Sequence, residues 1–413
     1  MFKRHSKVFT VSICDHCLGR QYAQLLSGYS NDQRGKILRD SAAIAIDGGL
    51  VESSELEPSN FPNFNFRQNK DFSKLVAKAK PMKCVVCNDF FKDIDKFTKK
   101  IATKLKNTEF NTFLIGTIPS RDFLEREEQM WEILGIDFCE PIRAEINREV
   151  GKRLEILTGK KAELKKPDIT IIVNLDKNRI DINKNPLFIS GYYNKLKRGF
   201  PQCKWGTPKK YKTSVEQSIG IPIMKASKGK DHKFHGAGRE DIDAICLGKR
   251  AFVLEITEPS IRKLNLKKLT KEIKKSKRVE VFNLSMSNME IVRKIKAARL
   301  TKNYSAVVKL EKPIQKKDLK KLSKLKGIIK QRTPTRVMHR RADLMRKRKV
   351  FSVKTKFKNG KTFTLEVKTE AGAYIKELVS GDEGRSVPSV RSLLGIQAVV
   401  KTLDVVKIEK IKL

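Results

Sequence analysis

Hydrophobic and polar residues alternate along the last two hundred residues in short runs that predict β-strands, with helical spacing between them. The segments AFVLEITEP, VEVFNLSMS and YSAVVKL are predicted strands, and LKKLTKEIKKSK and NMEIVRKIKAARL are predicted helices. The segment VFSVKTKFKNGKTFTLEV holds two alternating runs joined at Asn359-Gly360, which predicts a hairpin with a type I′ turn. Residues 206–413 are therefore predicted to form one region of alternating strands and helices.

Two other regions precede it. Residues 1–95 contain two pairs of cysteines on either side of a helical segment and a loop rich in Asn, Pro and Phe. Residues 96–205 follow a mixed α/β pattern, with the helices REEQMWEILGI and IRAEINREVGKRLEILTG, the buried strand ITIIVNL and the closing segment GYYNKLKRGFPQCKW. Since 413 residues are too many for one ordinary core, three regions are predicted.

Positive charge is the dominant feature of the composition. The chain has 89 Lys and Arg against 46 Asp and Glu, a formal net charge of +43. An AT-rich genome inflates lysine, but it does not explain why residues 261–350 hold 31 basic and 6 acidic residues. So large an excess repels itself and predicts a polyanionic partner, for which nucleic acid is the usual candidate.

The apolar runs and the cysteines indicate where the protein works. No apolar run approaches the roughly 20 residues that cross a bilayer, so no membrane partner is expected. Seven cysteines are an odd set in a long basic chain, which disfavours a secreted disulfide scaffold. These features predict a cytoplasmic protein.

Two cysteine pairs predict a structural zinc ion. Cys14 and Cys17, like Cys84 and Cys87, are separated by two residues, the spacing that lets both sulfurs reach one tetrahedral Zn²⁺. The long separation of the pairs is a weakness, although the entropy of closing a loop grows only logarithmically with its length. Buried free thiols are the alternative. A closed shell of four thiolates leaves no open position, so the zinc would be structural.

A glycine-containing loop, GAGREDID, precedes the strand AFVLEI and presents Arg239, Glu240, Asp241 and Asp243. The dinucleotide-binding G-x-G-x-x-G pattern is broken because Asp241 stands where its third glycine belongs, and no P-loop Lys-Ser/Thr follows. Taken alone, an acidic residue beside an arginine is more often part of a solvated salt bridge than catalytic.

Longer blocks of sequence resemble the archaeal and eukaryotic tRNA pseudouridine-54/55 synthases. The resemblance covers nearly the whole chain and includes GAGREDID, which is similar to the catalytic loop of that family. The other blocks are CDHCLGRQY (14–22), CVVC (84–87), GYYNKLKRGFPQCKW (191–205), SVEQSIGIPI (214–223), FVLEITEP (252–259), TPTRVMHRR (333–341) and AGAYIKELVSGDEGR (371–385).

The resemblance implies a multidomain α+β fold. Its N-terminal part would be a zinc-bound and THUMP-like α/β RNA-binding region, with zinc binding in 1–95 and the THUMP-like part in 96–205. Its C-terminal part, 206–413, would be a pseudouridine synthase domain with a central mixed, mainly antiparallel sheet. The expected activity is isomerisation of uridine in the T-loop of tRNA, at position 54, 55 or both, by a monomer that contacts the T-arm.

The resemblance also implies the residues of the site. Asp241 matches the essential aspartate, Tyr304 a base-stacking tyrosine and Lys376 the basic residue that pairs with the aspartate. Arg239 matches the arginine that helps to hold the flipped-out RNA, and Tyr374 is a second aromatic residue beside the site. The basic turn with Lys195, Lys197 and Arg198 is expected to contact tRNA away from the reacting uridine.

The chemistry explains why such residues are needed. Detaching uracil at N1, turning it and rejoining it through C5 moves no electron to a cofactor, so no organic cofactor is expected. A carboxylate acts as nucleophile at C1′ or as base at C2′, and either role requires its ionised form, which a neighbouring cation favours. Lys376 and Arg239 are the candidate cations.

Two other functions compete with this one. A THUMP-containing methyltransferase or thiouridine synthase would need a methyl-donor site or an ATP loop, and the sequence shows neither. A non-catalytic zinc and tRNA-binding protein remains as the alternative. Only a synthase has a reason to bring Asp241, Tyr304 and Lys376 into one basic cleft.

Overall fold

The computed structural model describes residues 7–204 and 211–413, and the chain forms two compact units, Met1–Asn185 and Pro186–Leu413. The α-helices are α1 (Asp15–Arg20), α2 (Asn31–Asp47), α3 (Lys70–Lys78), α4 (Ile94–Leu105), α5 (Arg121–Leu134), α6 (Ile142–Thr158), α7 (Val215–Ser227), α8 (Leu266–Lys274), α9 (Met289–Ala297), α10 (Ile375–Ser380) and α11 (Val390–Leu394). Short 3₁₀ helices span Lys7–Thr10, Pro58–Asn60, Lys316–Leu325, Thr335–Arg340 and Asp382–Gly384.

The strands of the first unit are β1 (Thr112–Ile118), β2 (Lys161–Ala162), β3 (Ile169–Asn174) and β4 (Arg179–Lys184). Those of the second are β5 (Leu187–Lys195), β6 (Asp231–Gly236), β7 (Ile245–Thr257), β8 (Val279–Ser287), β9 (Lys302–Leu310), β10 (Gly327–Arg332), β11 (Met345–Asn359), β12 (Thr362–Thr369), β13 (Ser386–Val387) and β14 (Ala398–Ile408).

The first unit contains a four-stranded sheet in the order β2-β1-β3-β4. β1 runs parallel to β2 and β3, and β4 is antiparallel to β3. β1 and β3 alternate buried and less buried residues, which is the pattern expected of strands with one face on a core. Helix α6 packs against β1 and buries Ile142, Ile146, Val150 and Leu154.

Helices α1 and α2 cross at two glycines in the same unit. A Cβ added at Gly19 would lie 1.8 Å from the backbone oxygen of Asn31, and one added at Gly35 would lie 2.0 Å from that of Asp15. Only glycine permits so close an approach of two backbones. The contact fixes α1, which begins next to Cys14 and carries Cys17.

The second unit is built on a ten-stranded sheet in the order β13-β10-β11-β12-β9-β14-β7-β5-β8, with β6 also paired to β7. β14 and β7 run parallel, and the other pairs are antiparallel. Residues 250–256 of β7 are all buried. Helices α7 and α8 share a core with β5 and β7, whereas the helix Lys316–Leu325 shares one with β9 and β12.

The predicted strands and helices named above are found, with two differences. The predicted hairpin joins β11 to β12, but neither Asn359 nor Gly360 has a positive φ, so the predicted type I′ turn is wrong. A register shift between Phe357 and Asn359 and a hydrogen bond from the Lys361 amide to the Asn359 side chain replace it. The boundary predicted after residue 205 lies inside the second unit, because β5 pairs with β7 and β8.

Candidate active site

A cavity of about 390 Å³ opens in the second unit beside the loop that joins β6 to β7. The loop supplies one wall, β9 supplies another, and the start of α10 and the helix Thr335–Arg340 complete it. All five residues that the resemblance implied line this cavity: Arg239, Asp241, Tyr304, Tyr374 and Lys376.

A buried ion pair supports the loop from beneath. The carboxylate of Glu240 lies 2.9 Å from Nε of Arg250, and both side chains are fully buried. Tyr193 donates its hydroxyl hydrogen bond to Glu240 at 3.0 Å, and Arg250 donates to the backbone oxygen of Ala237 at 3.0 Å. Gly238 has a φ of +77°, which glycine adopts without strain, and this lets the chain turn above the pair.

Asp241 projects from this support with its side chain 37% exposed. The ammonium group of Lys376 lies 3.4 Å from Oδ2 of Asp241, and the guanidinium of Arg336 lies 3.7 Å from the same oxygen. Beneath it, Lys195 donates hydrogen bonds to the backbone oxygens of Asp241 and Ile242. Two cations therefore lie beside the Asp241 carboxylate, and its oxygens remain accessible from the cavity.

Asp243 also binds Lys376, at 2.7 Å. Partial burial acts to raise the pKa of Asp243, but the hydrogen bond and charge of Lys376 outweigh it and lower the pKa. Lys376 thus links both aspartates of the loop.

Two tyrosines give the cavity its aromatic surface. Tyr304 is 9% exposed, and its burial raises the pKa to about 12, so the phenol stays neutral across the physiological range. Tyr374 accepts a hydrogen bond from Arg341 through its hydroxyl group, and Gln331 binds its backbone amide and carbonyl. These contacts hold Tyr374 in the wall of the cavity.

The structure changes what was expected of three basic residues, Arg239, Lys195 and Arg198. Arg336, which the resemblance did not single out, pairs with Asp241, whereas Arg239 is exposed and makes no ion pair within the described part of the chain. Lys195 is fully buried and Arg198 binds Asp404 and backbone oxygens. The expectation that Lys195 contacts tRNA is therefore wrong, because its amino group is committed to the loop.

A further cavity residue was not singled out from the sequence. Lys302, the first residue of β9, lines the cavity and is buried. It precedes Tyr304 by two positions, so the two side chains lie on the same face of the strand. Buried and less buried residues alternate along β9, and this alternation places Lys302 on the buried face. The pattern of charges in the sequence gives no indication that a lysine lies there.

The first unit brings the four predicted metal ligands together. The sulfur atoms of Cys14, Cys17, Cys84 and Cys87 all lie within 4.8 Å of one another, with Cys14 and Cys87 3.6 Å apart. Zinc bonds to sulfur of about 2.3 Å place tetrahedral sulfurs at such separations, so the residues fit the ion. Cys14 and Cys17 belong to one segment of the chain and Cys84 and Cys87 to another, and the two segments are too far apart in sequence for one turn to bring them together.

A buried arginine lies beside this cluster. Arg20 donates to the Cys17 sulfur at 3.4 Å, and Glu127 and Glu145 lie 3.4 Å from its guanidinium. These contacts tie the cysteine cluster to helices α5 and α6. Outer contacts of this kind orient metal ligands and offset the negative charge of four thiolates.

Comparison with known proteins identifies the family. The family model for the Pus10 C-terminal region matches residues 188–409, and the model for the archaeal Pus10 THUMP domain matches residues 97–174. The tRNA pseudouridine synthase Pus10 of Methanothrix thermoacetophila is 37% identical, over 96% of this chain and 91% of the relative. That of Methanocaldococcus jannaschii is 38% identical, over 96% and 92%. The chain belongs to the Pus10 family.

Membership of the Pus10 family confirms several expectations. The predicted enzyme class, an isomerase that forms pseudouridine, is confirmed, as is the α+β fold with a THUMP domain and a mixed, mainly antiparallel sheet. Pseudouridine synthases need no organic cofactor.

Among solved structures, a Cbf5-Nop10-Gar1 complex is similar over 52% of this Pus10 chain and 47% of the matched chain, with 17% identity and a TM-score of 0.31. Within the described residues, no helix has the length and apolar character needed to traverse a bilayer.

Proposed function

We propose that this Pus10 protein isomerises uridine to pseudouridine in the T-loop of tRNA, at position 54, position 55 or both. The observation that carries the proposal is the shared cavity of Asp241, Tyr304 and Lys376, which are separated by as many as 135 positions in sequence. A protein that only bound zinc and tRNA would have no need to gather these three side chains around an accessible carboxylate.

In the proposed reaction, the target uridine leaves its stack and enters the cavity, at a cost of a few kcal/mol. Tyr304 offers a face for the extruded base, and such stacking contributes about 1–3 kcal/mol. Asp241, which lies beside Lys376 and Arg336, attacks C1′ or removes the C2′ proton. The freed uracil turns and joins C1′ through C5, which releases the Asp241 carboxylate from C1′ or returns the proton to C2′, and a proton on N1 then replaces the proton on C5.

The remaining parts of the chain are assigned supporting roles. We infer that the cysteine cluster holds one structural zinc ion and that the THUMP-like region binds tRNA. The net charge of +43 favours both binding to the T-arm and offsetting the cost of base extrusion. The protein is proposed to act as a monomer in the cytoplasm.

The deciding experiment uses purified protein and an unmodified tRNA transcript. Pseudouridine is mapped by carbodiimide modification and primer extension after incubation with excess enzyme. New pseudouridine at position 54 or 55 is expected, and a matched transcript with cytidine at both positions gives the background. Tight tRNA binding with no pseudouridine at any position would instead support the non-catalytic alternative.

A further inference from the structure

Lys302 is a buried cation that no acid neutralises. Its side chain lines the active-site cavity with only 8% of the residue exposed, and that side chain makes no hydrogen bond or ion pair within residues 7–204 and 211–413. Buried lysines are rarely left without a partner, because the desolvation of an ammonium group is costly. A group left in this state at a cavity wall is available to a ligand.

The surroundings of Lys302 are electropositive. A Cβ built on Gly238 would lie 3.2 Å from Nζ of Lys302 and 3.3 Å from Nη1 of Arg250, so the two cations flank the same glycine. The one carboxylate beneath them, Glu240, is already paired with Arg250. The cavity floor therefore holds an unbalanced positive charge close to Asp241 and Tyr304.

Breaking the N1–C1′ bond creates a matching negative charge. The electron pair of that bond goes to N1 of the departing uracil and spreads onto its O2 and O4 oxygens. The charge disappears when C5 bonds to C1′, and the proton on C5 is then exchanged for a proton on N1, so uridine and pseudouridine are isomers. A fixed cation stabilises this intermediate more than the neutral substrate, which is the requirement for faster chemistry.

We propose that Lys302 is a further catalytic residue, which donates a hydrogen bond to a carbonyl oxygen of the flipped uracil and stabilises the detached uracil anion. This inference rests on the proposed function and adds a role that Asp241, Tyr304 and Lys376 do not fill. Asp241 acts at the sugar, and Lys376 is bound by Asp241 and Asp243. Lys302 faces the base.

Its titration gives a separate signature. Burial, followed by the charge of Arg250, lowers the pKa of Lys302 to about 8, while Cys246 and Glu240 act in the opposite direction. Burial raises the pKa of the Tyr304 phenol to about 12 and also raises the pKa of the Cys246 thiol. Lys302 is thus protonated at neutral pH and loses its charge as the pH rises through 8.

The first experiment compares Lys302→Met and Lys302→Arg with the wild-type enzyme in single-turnover pseudouridine formation at saturating tRNA. Lys302→Met is expected to slow the reaction about a hundred-fold, the usual effect of losing one preorganised donor, with tRNA affinity unchanged. The wild-type rate is expected to decline above pH 8, and Lys302→Arg is expected to retain part of the rate and to lose this decline. Lys309→Met, at an exposed position on the same strand, is the matched control.

The second experiment separates catalysis from support of the loop. Fluorine at C5 makes uracil a better leaving group, so detachment of 5-fluorouracil from C1′ in a 5-fluorouridine tRNA depends less on a stabilising cation. The ratio of wild-type to Lys302→Met rates should therefore be smaller for the fluorinated tRNA than for the ordinary one. A purely structural role would give equal ratios for both substrates.

The outcomes distinguish a failure of the role assigned to Lys302 from a failure of the proposed function. If the wild type is active and the single-turnover rate of Lys302→Met is within three-fold of the wild-type rate, the role of Lys302 is overturned. The proposed function then remains intact. An inactive wild type overturns the proposed function itself. If Lys302→Met fails to fold by circular dichroism, the Lys302→Arg pH profile decides, and a decline above pH 8 unchanged from the wild type contradicts the inference.

Discussion

At the scale of residues, the site is defined by one ammonium group that serves two carboxylates. Lys376 lies 2.7 Å from Asp243 and 3.4 Å from Asp241. Asp243 is the more exposed of the two, with 66% of its side chain accessible, so water screens its attraction for Lys376 more strongly. We infer that Asp243 positions Lys376, whereas Asp241 is the carboxylate that reacts.

Replacing Asp241 with Asn is the direct test of this assignment. The amide keeps the size of the side chain but can neither attack C1′ nor accept the C2′ proton, so single-turnover pseudouridine formation should fall on the order of a thousand-fold or more. Folding and tRNA affinity should be nearly unchanged, since Asp241 lies at an open cavity.

Asp243→Asn is the matched comparison in the same loop. Weakening the exposed contact in which Lys376 donates to both carboxylate oxygens of Asp243 should reduce the rate by no more than about ten-fold. The roles are exchanged if Asp243→Asn abolishes pseudouridine formation while Asp241→Asn preserves it.

At the scale of elements, the loop between β6 and β7 is shaped by what lies under it. The buried pair of Glu240 and Arg250 joins the loop to β7, and Gln202 connects the backbone of Gly238 to the hydroxyl of Tyr193 on β5. Breaking a buried ion pair by removing one charge is more damaging than breaking an exposed one, because the remaining charge stays desolvated.

Glu240→Gln should therefore lower the free energy of unfolding by about 3–5 kcal/mol, although the side chain keeps its size. Urea titration followed by circular dichroism measures the change. Glu258→Gln removes an exposed partner of Lys230 and should cost about 0–1 kcal/mol. Equal midpoints for the two variants would show that the buried pair contributes little.

The cysteine cluster organises a second set of elements. It links the start of α1 to the segment that holds Cys84 and Cys87, and Arg20 extends the connection to α5 and α6. Purification without chelators should yield about one equivalent of zinc, and less than half an equivalent would argue against the site. Chelation should raise hydrogen exchange in α1 and around 84–87 and leave β7 and β14 protected, because the two units have separate cores.

At the scale of the whole molecule, the excess positive charge can bind the phosphates of tRNA only where it lies on an exposed surface. The 3₁₀ helix Lys316–Leu325 buries its three leucines and exposes its five lysines: Lys316, Lys317, Lys320, Lys321 and Lys324. This face is a better candidate for binding phosphates than the buried Lys195.

Replacing Lys316, Lys317 and Lys320 with Gln should weaken tRNA binding. It should also flatten the plot of the logarithm of the binding constant against the logarithm of the salt concentration, by about 0.7–0.9 in slope for each phosphate that the protein no longer neutralises. Filter binding between 50 and 200 mM salt, roughly the range over which such electrostatic binding weakens, provides the measurement. Single-turnover rates at saturating tRNA should be unchanged. A lower saturated rate with an unaltered salt slope would assign this face to the reaction instead.

The sequence predicted the parts of the molecule that depend on local pattern or on long matching blocks. β3, β7, β9 and α6 follow from periodicity, and the pairing of Asp241 with Lys376 followed from the resemblance. Arg336, Lys302 and the burial of Lys195 depend on which side chains a folded sheet brings into contact, and no spacing along the chain encodes that. The type I′ turn was wrong because a bulge at Phe357 altered the register of the hairpin.

The position of β14 has a consequence for the synthesis of the protein. β14 lies between β9 and β7, near the middle of the sheet, although it comes last along the chain among the described strands. The loop with Asp241 connects two strands on one side of β14, whereas Tyr304 lies on β9 and Lys376 follows β12, both on the other side. A nascent chain that still lacks residues 398–408 therefore carries two halves of the sheet that β14 does not yet join, so Asp241 is not yet held in one cavity with Tyr304 and Lys376.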